Sequence, residues 1–95
     1  MQLDKFIKMV DGLDVFEKAV FYLGGLKELE SGYWFKVITS KGINYIRSIG
    51  NHHIVILDEN QNEIENLGRL GSNGELVLRL RWFYEGTRVR TITII

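Results

Sequence analysis

The chain has 95 residues, with ten glycines, no cysteine and no proline; 45% of residues are hydrophobic, and twelve basic side chains balance twelve acidic ones for a formal charge of zero. The length fits one domain spanning residues 1–95, and the lack of cysteine excludes disulfides, thiol nucleophiles, Cys-ligated zinc and iron–sulfur clusters. Neutrality argues against a protein that coats nucleic acid or anionic membrane by charge alone, no apolar run approaches the ~20 residues of a membrane span, and Met1-Gln2-Leu3-Asp4-Lys5 lacks a leader pattern, so a cytoplasmic setting is expected.

Leu3, Phe6, Ile7 and Val10 recur at helical spacing, and Asp11-Gly12 closes that segment. Asp14 is a capping residue for a second helix, with Glu17 three positions on and Phe16, Ala19, Val20 and Leu23 as its apolar stripe. Gly24-Gly25 weakens this helix, Leu26 and Leu29 extend the stripe, and Ser31-Gly32 ends it. Tyr33 to Ile38 is aromatic and β-branched, which predicts a strand.

Residues 40–49 allow two readings. As a strand, Ile43, Tyr45 and Ile49 share a face with Arg47. As a helix, Thr39 is the cap, Ile38 packs on Ile43, and Gly50 closes the end. More signals favour the helix, and the strand stays open. Ile54 to Leu57 and Glu63 to Leu67 read as two strands around the polar turn 58–62, and Gly68 to Gly74 reads as a loop.

From Glu75 to Tyr84 apolar and polar residues alternate, Glu85-Gly86 resembles a tight turn, and Arg88 to Ile95 reads as the returning strand. In that hairpin Leu76, Leu78, Leu80, Trp82 and Val89 face the core, while Arg79, Arg81, Phe83, Arg88 and Arg90 share the other face. Arginines opposed across strands repel unless an anion or partner neutralises them. The face is therefore either a surface for phosphates or an acidic protein, or a solvated face balanced by Asp58, Glu59, Glu63 and Glu65. The apolar end of the last strand calls for a central place in the sheet or for pairing with another chain.

The run Leu26-Lys27-Glu28-Leu29-Glu30-Ser31-Gly32-Tyr33-Trp34-Phe35-Lys36-Val37-Ile38-Thr39-Ser40-Lys41-Gly42-Ile43-Asn44-Tyr45-Ile46 resembles the end of some winged-helix domains, where a helix leads to a strand and then to a Thr-x-x-Gly helix start. The resemblance implies duplex DNA binding through a helix in the major groove. The chain departs from that family in offering two upstream helices rather than three, and in placing Gly24-Gly25 where the recognition helix would run.

His52-His53 lies near several acids, but adjacent strand residues point to opposite faces, so no metal is expected. Gly68, Gly71 and Gly74 lack the Lys-Ser or Lys-Thr of a phosphate loop. No spaced catalytic motif is present, so neither an enzymatic activity nor a cofactor is expected. Tyr33, Trp34 and Phe35 fall on both faces of one strand, which makes Trp34 a candidate contact residue.

These features predict an α+β fold. Two helices, and a third if residues 40–49 are helical, pack from the N-terminal half onto an antiparallel sheet that ends in a long C-terminal hairpin. The expected function is non-enzymatic binding of a macromolecular partner, foremost a protein or a second copy, through Trp34, Arg79, Arg81, Phe83, Arg88 and Arg90. The alternative is a small winged-helix-like or β-hairpin regulator that binds nucleic acid.

Overall fold

A computed structural model describes residues 13–95; the helix expected over Leu3–Val10 lies outside the described residues. The Asp14 carboxylate accepts the Glu17 amide hydrogen bond at 2.8 Å and starts α1, Val15–Leu23. The helix stops at Gly24, whose φ of +100° is open to glycine alone without strain. Gly25 then approaches so closely that a Cβ there would meet Asn73 Oδ1 at 2.2 Å. That approach lets Asn73 Oδ1 accept the Leu26 amide at 2.9 Å and start α2, Leu26–Glu30. The glycine pair thus separates two helices where the sequence suggested one weakened helix.

Strands β1, Phe35–Thr39, and β2, Gly42–Ser48, form a tight antiparallel hairpin, with Phe35 opposite Ile46 and Thr39 opposite Gly42. The Thr39 hydroxyl accepts from Lys41 N–H at 3.0 Å and donates to the Gly42 carbonyl at 3.1 Å. Thr39 therefore caps a turn and not a helix, and residues 40–49 are not the third N-terminal helix. The reason lies in burial. Ile46 is fully buried against Phe35 and Val37, while Ile43 and Ile49, its partners on the expected helical stripe, lie on the other side of the sheet.

A turn with positive φ at Gly50, Asn51 and His52 leads to β3, His53–Leu57. A second turn, held by Asp58 Oδ1 accepting the Asn60 and Asn62 amides, leads to β4, Glu63–Arg69. Both strands fall where the sequence placed them.

The next segment does not. Residues 75–83 belong to a helix, α3, Asn73–Phe83, and Tyr84 is its C-cap. Ser72 caps it by accepting the Glu75 amide at 3.2 Å. Leu76 and Leu80 are wholly buried, whereas Leu78 and Trp82 are 61% and 55% exposed. The expected inward face of Leu76, Leu78, Leu80 and Trp82 is thus half wrong, because the buried set follows the 3.6-residue period through Leu76, Val77, Leu80 and Tyr84. Glu85-Gly86 closes the helix, with Gly86 at φ +76° and the Thr87 amide bonded to the Tyr84 carbonyl at 2.9 Å. There is no C-terminal hairpin. The last strand, β5, Val89–Ile94, pairs instead with β1, antiparallel, with Phe35 opposite Ile94 and Val37 opposite Ile92.

The sheet order is β4-β3-β2-β1-β5, antiparallel throughout, so the fold is α+β as expected. A four-strand meander runs to one edge, and α3 carries the chain back to the other. Phe16, Leu26, Leu29, Leu76, Val77, Leu80 and Tyr84 from the helices meet Phe35, Val37, Ile46, Ile54 and Ile56 from the sheet. The Tyr84 ring lies 5.7 Å from that of Phe16, and its hydroxyl donates to Asn44 Oδ1 at 3.1 Å. Burial pushes the Tyr84 pKa far above its ordinary value, so this hydroxyl acts as a donor within the core.

Candidate interaction surface

The helices bury one side of the sheet and leave the other without helical cover among the described residues. Alternation along β1 and β2 sends Phe35, Val37 and Ile46 to the helices and turns Trp34, Lys36, Ile38, Ile43, Tyr45 and Arg47 the other way. Trp34 is anchored just before β1, exchanging backbone hydrogen bonds of 3.0 and 2.9 Å with Ile95.

The β1–β2 register brings Trp34 across from Arg47, whose guanidinium carbon lies 4.8 Å from the Trp34 ring centroid, within cation–π range. The Tyr45 ring packs edge-on at 5.9 Å and 68°. Val55 and Leu57 of β3, opposite Arg47 and Tyr45 on the same side of the sheet, are themselves buried, and Trp34, Tyr45 and Arg47 are half-buried beside them. Arg47 Nε is buried and has no acceptor among the described residues. Such a donor costs about 1–3 kcal/mol. The face therefore offers an aromatic pair, two cations in Lys36 and Arg47, and one guanidinium short of an acceptor.

The other sequence-nominated residues are scattered. Arg79, Arg81 and Phe83 belong to α3, while Arg88 and Arg90 flank the start of β5, so the opposed arginines of a hairpin do not occur. Arg81 forms ion pairs with Asp14 and Glu17 of the α1 cap. Burial alone would raise the Asp14 pKa, but the Glu17 amide and Arg81 outweigh it and hold the carboxyl below its usual value. Its hydrogen bond to Asp14 raises Arg81 in turn. Phe83 is partly buried, edge-on to Tyr84 with centroids 4.8 Å apart. Of the six nominated residues, Trp34 alone belongs to the sheet face that no described helix covers. Tyr45 and Arg47 were missed because residues 40–49 were favoured as a helix; the strand alternative had already put them on one side.

Two concavities have different characters. One, of about 480 Å³, is lined by Leu26, Lys27, Glu30, Ser31, His52, Gly71, Ser72 and Asn73. Its carboxylate is already committed: Glu30 accepts from the Ser48 hydroxyl at 2.6 Å and from the His52 amide at 3.0 Å, tying the β2–β3 turn to α2. The Ser48 bond first, and then the His52 amide, lower the Glu30 pKa. The other, of about 470 Å³ between α1 and α3, is lined mainly by Val20, Phe21, Val77 and Leu78, with Glu17 and Arg81 at its rim. His53 Nε2 lies 2.6 Å from Asn66 Oδ1. Among the described residues no three His, Cys, Asp or Glu side chains cluster as metal ligands, and no helix is long and apolar enough to cross a membrane. In the Thr39–Gly42 stretch, where the winged-helix resemblance required a helix start, the chain makes a hairpin turn. No family model, curated protein or solved structure matches this chain.

Proposed function

We propose that this protein is a non-enzymatic interaction module that binds a protein partner through the uncovered sheet face centred on Trp34. The observation that carries this is the contact of Trp34 with both Arg47 and Tyr45 on a side of the sheet that no described helix covers. Trp, Tyr and Arg dominate the energetics of protein interfaces because each buries a large, stiff surface and still offers a polar group. Tyr45 and Arg47 stand on β2 and Trp34 is held beside them by its two backbone bonds to Ile95, so little side-chain freedom remains to be lost on binding. Arg47 Nε gives an incoming carbonyl or carboxylate a reason to seat there. A zero formal charge and the engagement of Arg81 by Asp14 and Glu17 favour a protein over a polyanion. The absence of cysteine supports a reducing, cytoplasmic setting for this binding.

The test is quantitative capture of a cross-linked partner by wild type, Trp34→Ala and Arg47→Ala, with Glu65→Ala on the far edge strand as control. Circular dichroism checks that each variant is folded. Loss of a hot-spot residue costs at least about 2 kcal/mol, or about thirtyfold in affinity. Retention of the partner by both face variants overturns the proposal. Anisotropy with single-stranded and duplex nucleic acid over a salt series tests the competing chemistry, in which bases stack on Trp34 and Tyr45 beside Lys36. Trp34-dependent nucleic-acid binding with a clear salt slope would replace the protein partner in this reading.

A further inference from the structure

The two edges of the sheet are built differently. Strand β4 carries Glu63 and Glu65 and pairs with β3 through two register shifts, devices that discourage another strand from adding to an edge. Strand β5 confines its one charge, Arg90, and its one register shift to its first residues. Thr91-Ile92-Thr93-Ile94 is a regular β-branched run, and the shift in its pairing falls at its start, between Ile38 and Thr39 of β1. Because Trp34 and Ile95 exchange both backbone bonds, alternation turns the amides and carbonyls of Thr91 and Thr93 toward β1 and those of Ile92 and Ile94 outward. No described strand lies beyond them. Ile92 and Ile94 reach the core but are only partly buried, since nothing described flanks them on that side. Beside this edge α1 leaves a groove of about 390 Å³, bordered by Lys18, Ala19 and Tyr22.

The geometry points to a second copy of this chain as the occupant of that edge, paired β5 to β5, antiparallel, about a two-fold axis at Ile92. The strand is self-complementary in that register. Ile92 exchanges both backbone bonds with its own mate, and Arg90 falls opposite the mate's Ile94, so no two arginines face each other. Thr91 lies opposite Thr93, a pairing strands favour. The axis stands perpendicular to the sheet, so both sets of helices lie on one side. Tyr22, 58% exposed beside the edge, then covers the isoleucines of both strands. On the other side the two Trp34-centred faces join. This surface is separate from the one proposed for the partner, and neither rests on the other.

Sedimentation velocity of the full chain over a concentration series tests the pairing. A dimer is expected, with the Ile92 and Ile94 amides protected from hydrogen exchange. Thr91→Glu with Thr93→Glu changes two exposed positions on the uncovered face. It places like charges opposite each other at the new junction and weakens the dimer by about tenfold or more, with the monomer's melting midpoint nearly kept. Thr91→Lys with Thr93→Lys does the same, and mixing the two variants restores a heterodimer. A wild type that stays monomeric refutes the pairing, as does a dimer that the charged variants leave intact or that only Trp34→Ala dissociates.

Discussion

Leu78 and Leu80 stand two residues apart on α3, and the structure assigns them opposite fates: Leu80 is 0% exposed in the core and Leu78 is 61% exposed. If residues 75–84 were a strand, alternation would give the two the same burial. Replacing each by alanine therefore measures the period of the segment directly. Leu80→Ala leaves a cavity among Leu76, Val77 and the sheet, and a buried Leu→Ala costs about 2–5 kcal/mol. A domain of this length has roughly 5–15 kcal/mol in total, and each kcal/mol moves its midpoint by about 4–8 °C. A central loss of about 3 kcal/mol thus lowers the midpoint by roughly 12–24 °C. Leu78→Ala removes exposed surface and installs a better helix former, so its effect stays within about 0.5 kcal/mol. Thermal unfolding followed at 222 nm, with urea titrations to confirm an unchanged m-value, reads both. Similar losses in the two variants would refute the helix and return the segment to a strand.

Asn73→Ala removes the acceptor for the Leu26 amide and should cost about 1 kcal/mol, read as a lower urea midpoint. Asp14 and Glu30 both titrate below their ordinary values of 3.8 and 4.5 in the folded state. Their contribution to stability is therefore complete above those values and is lost as pH falls through the lower, folded pKa of each. Melting midpoints measured downward from pH 6 should fall on the acid side, and Asp14→Asn with Glu30→Gln should flatten that limb; an unchanged acid limb would refute the assignment of both carboxylates.

The local parts of the fold were legible because local chemistry suffices for them. Asp14 with Glu17, set just before an apolar stripe at helical spacing, marks a helix start, and the apolar run at Ile54 to Leu57 before Asp58 marks a strand and a turn. The two errors fell on segments that satisfy both periods. Leu76, Leu78, Leu80 and Trp82 alternate, yet Leu76, Val77, Leu80 and Tyr84 follow a helix, and Ser72 with Glu75 supplied a cap signal that the alternation overshadowed. Ile43, Ile46 and Ile49 suggested a helix, although β-branched residues and Tyr45 suit a strand at least as well. The false hairpin then gathered Arg79, Arg81, Arg88 and Arg90 onto one face that does not form. Trp34 was found because its strand was read correctly, and Arg47 was passed over because its strand was not.

The sequence by itself determined the α1 cap, the β3–β4 hairpin and the mixture of helix and sheet, since these depend on contacts within a few residues or on the supply of apolar side chains. Only the tertiary structure decided which period residues 75–84 obey, which strand β5 joins and which side of the sheet the described helices cover. An apolar residue is buried by what packs on it. Once β1 offers its free edge to β5, the sheet needs a cover more than another strand, and α3 supplies it.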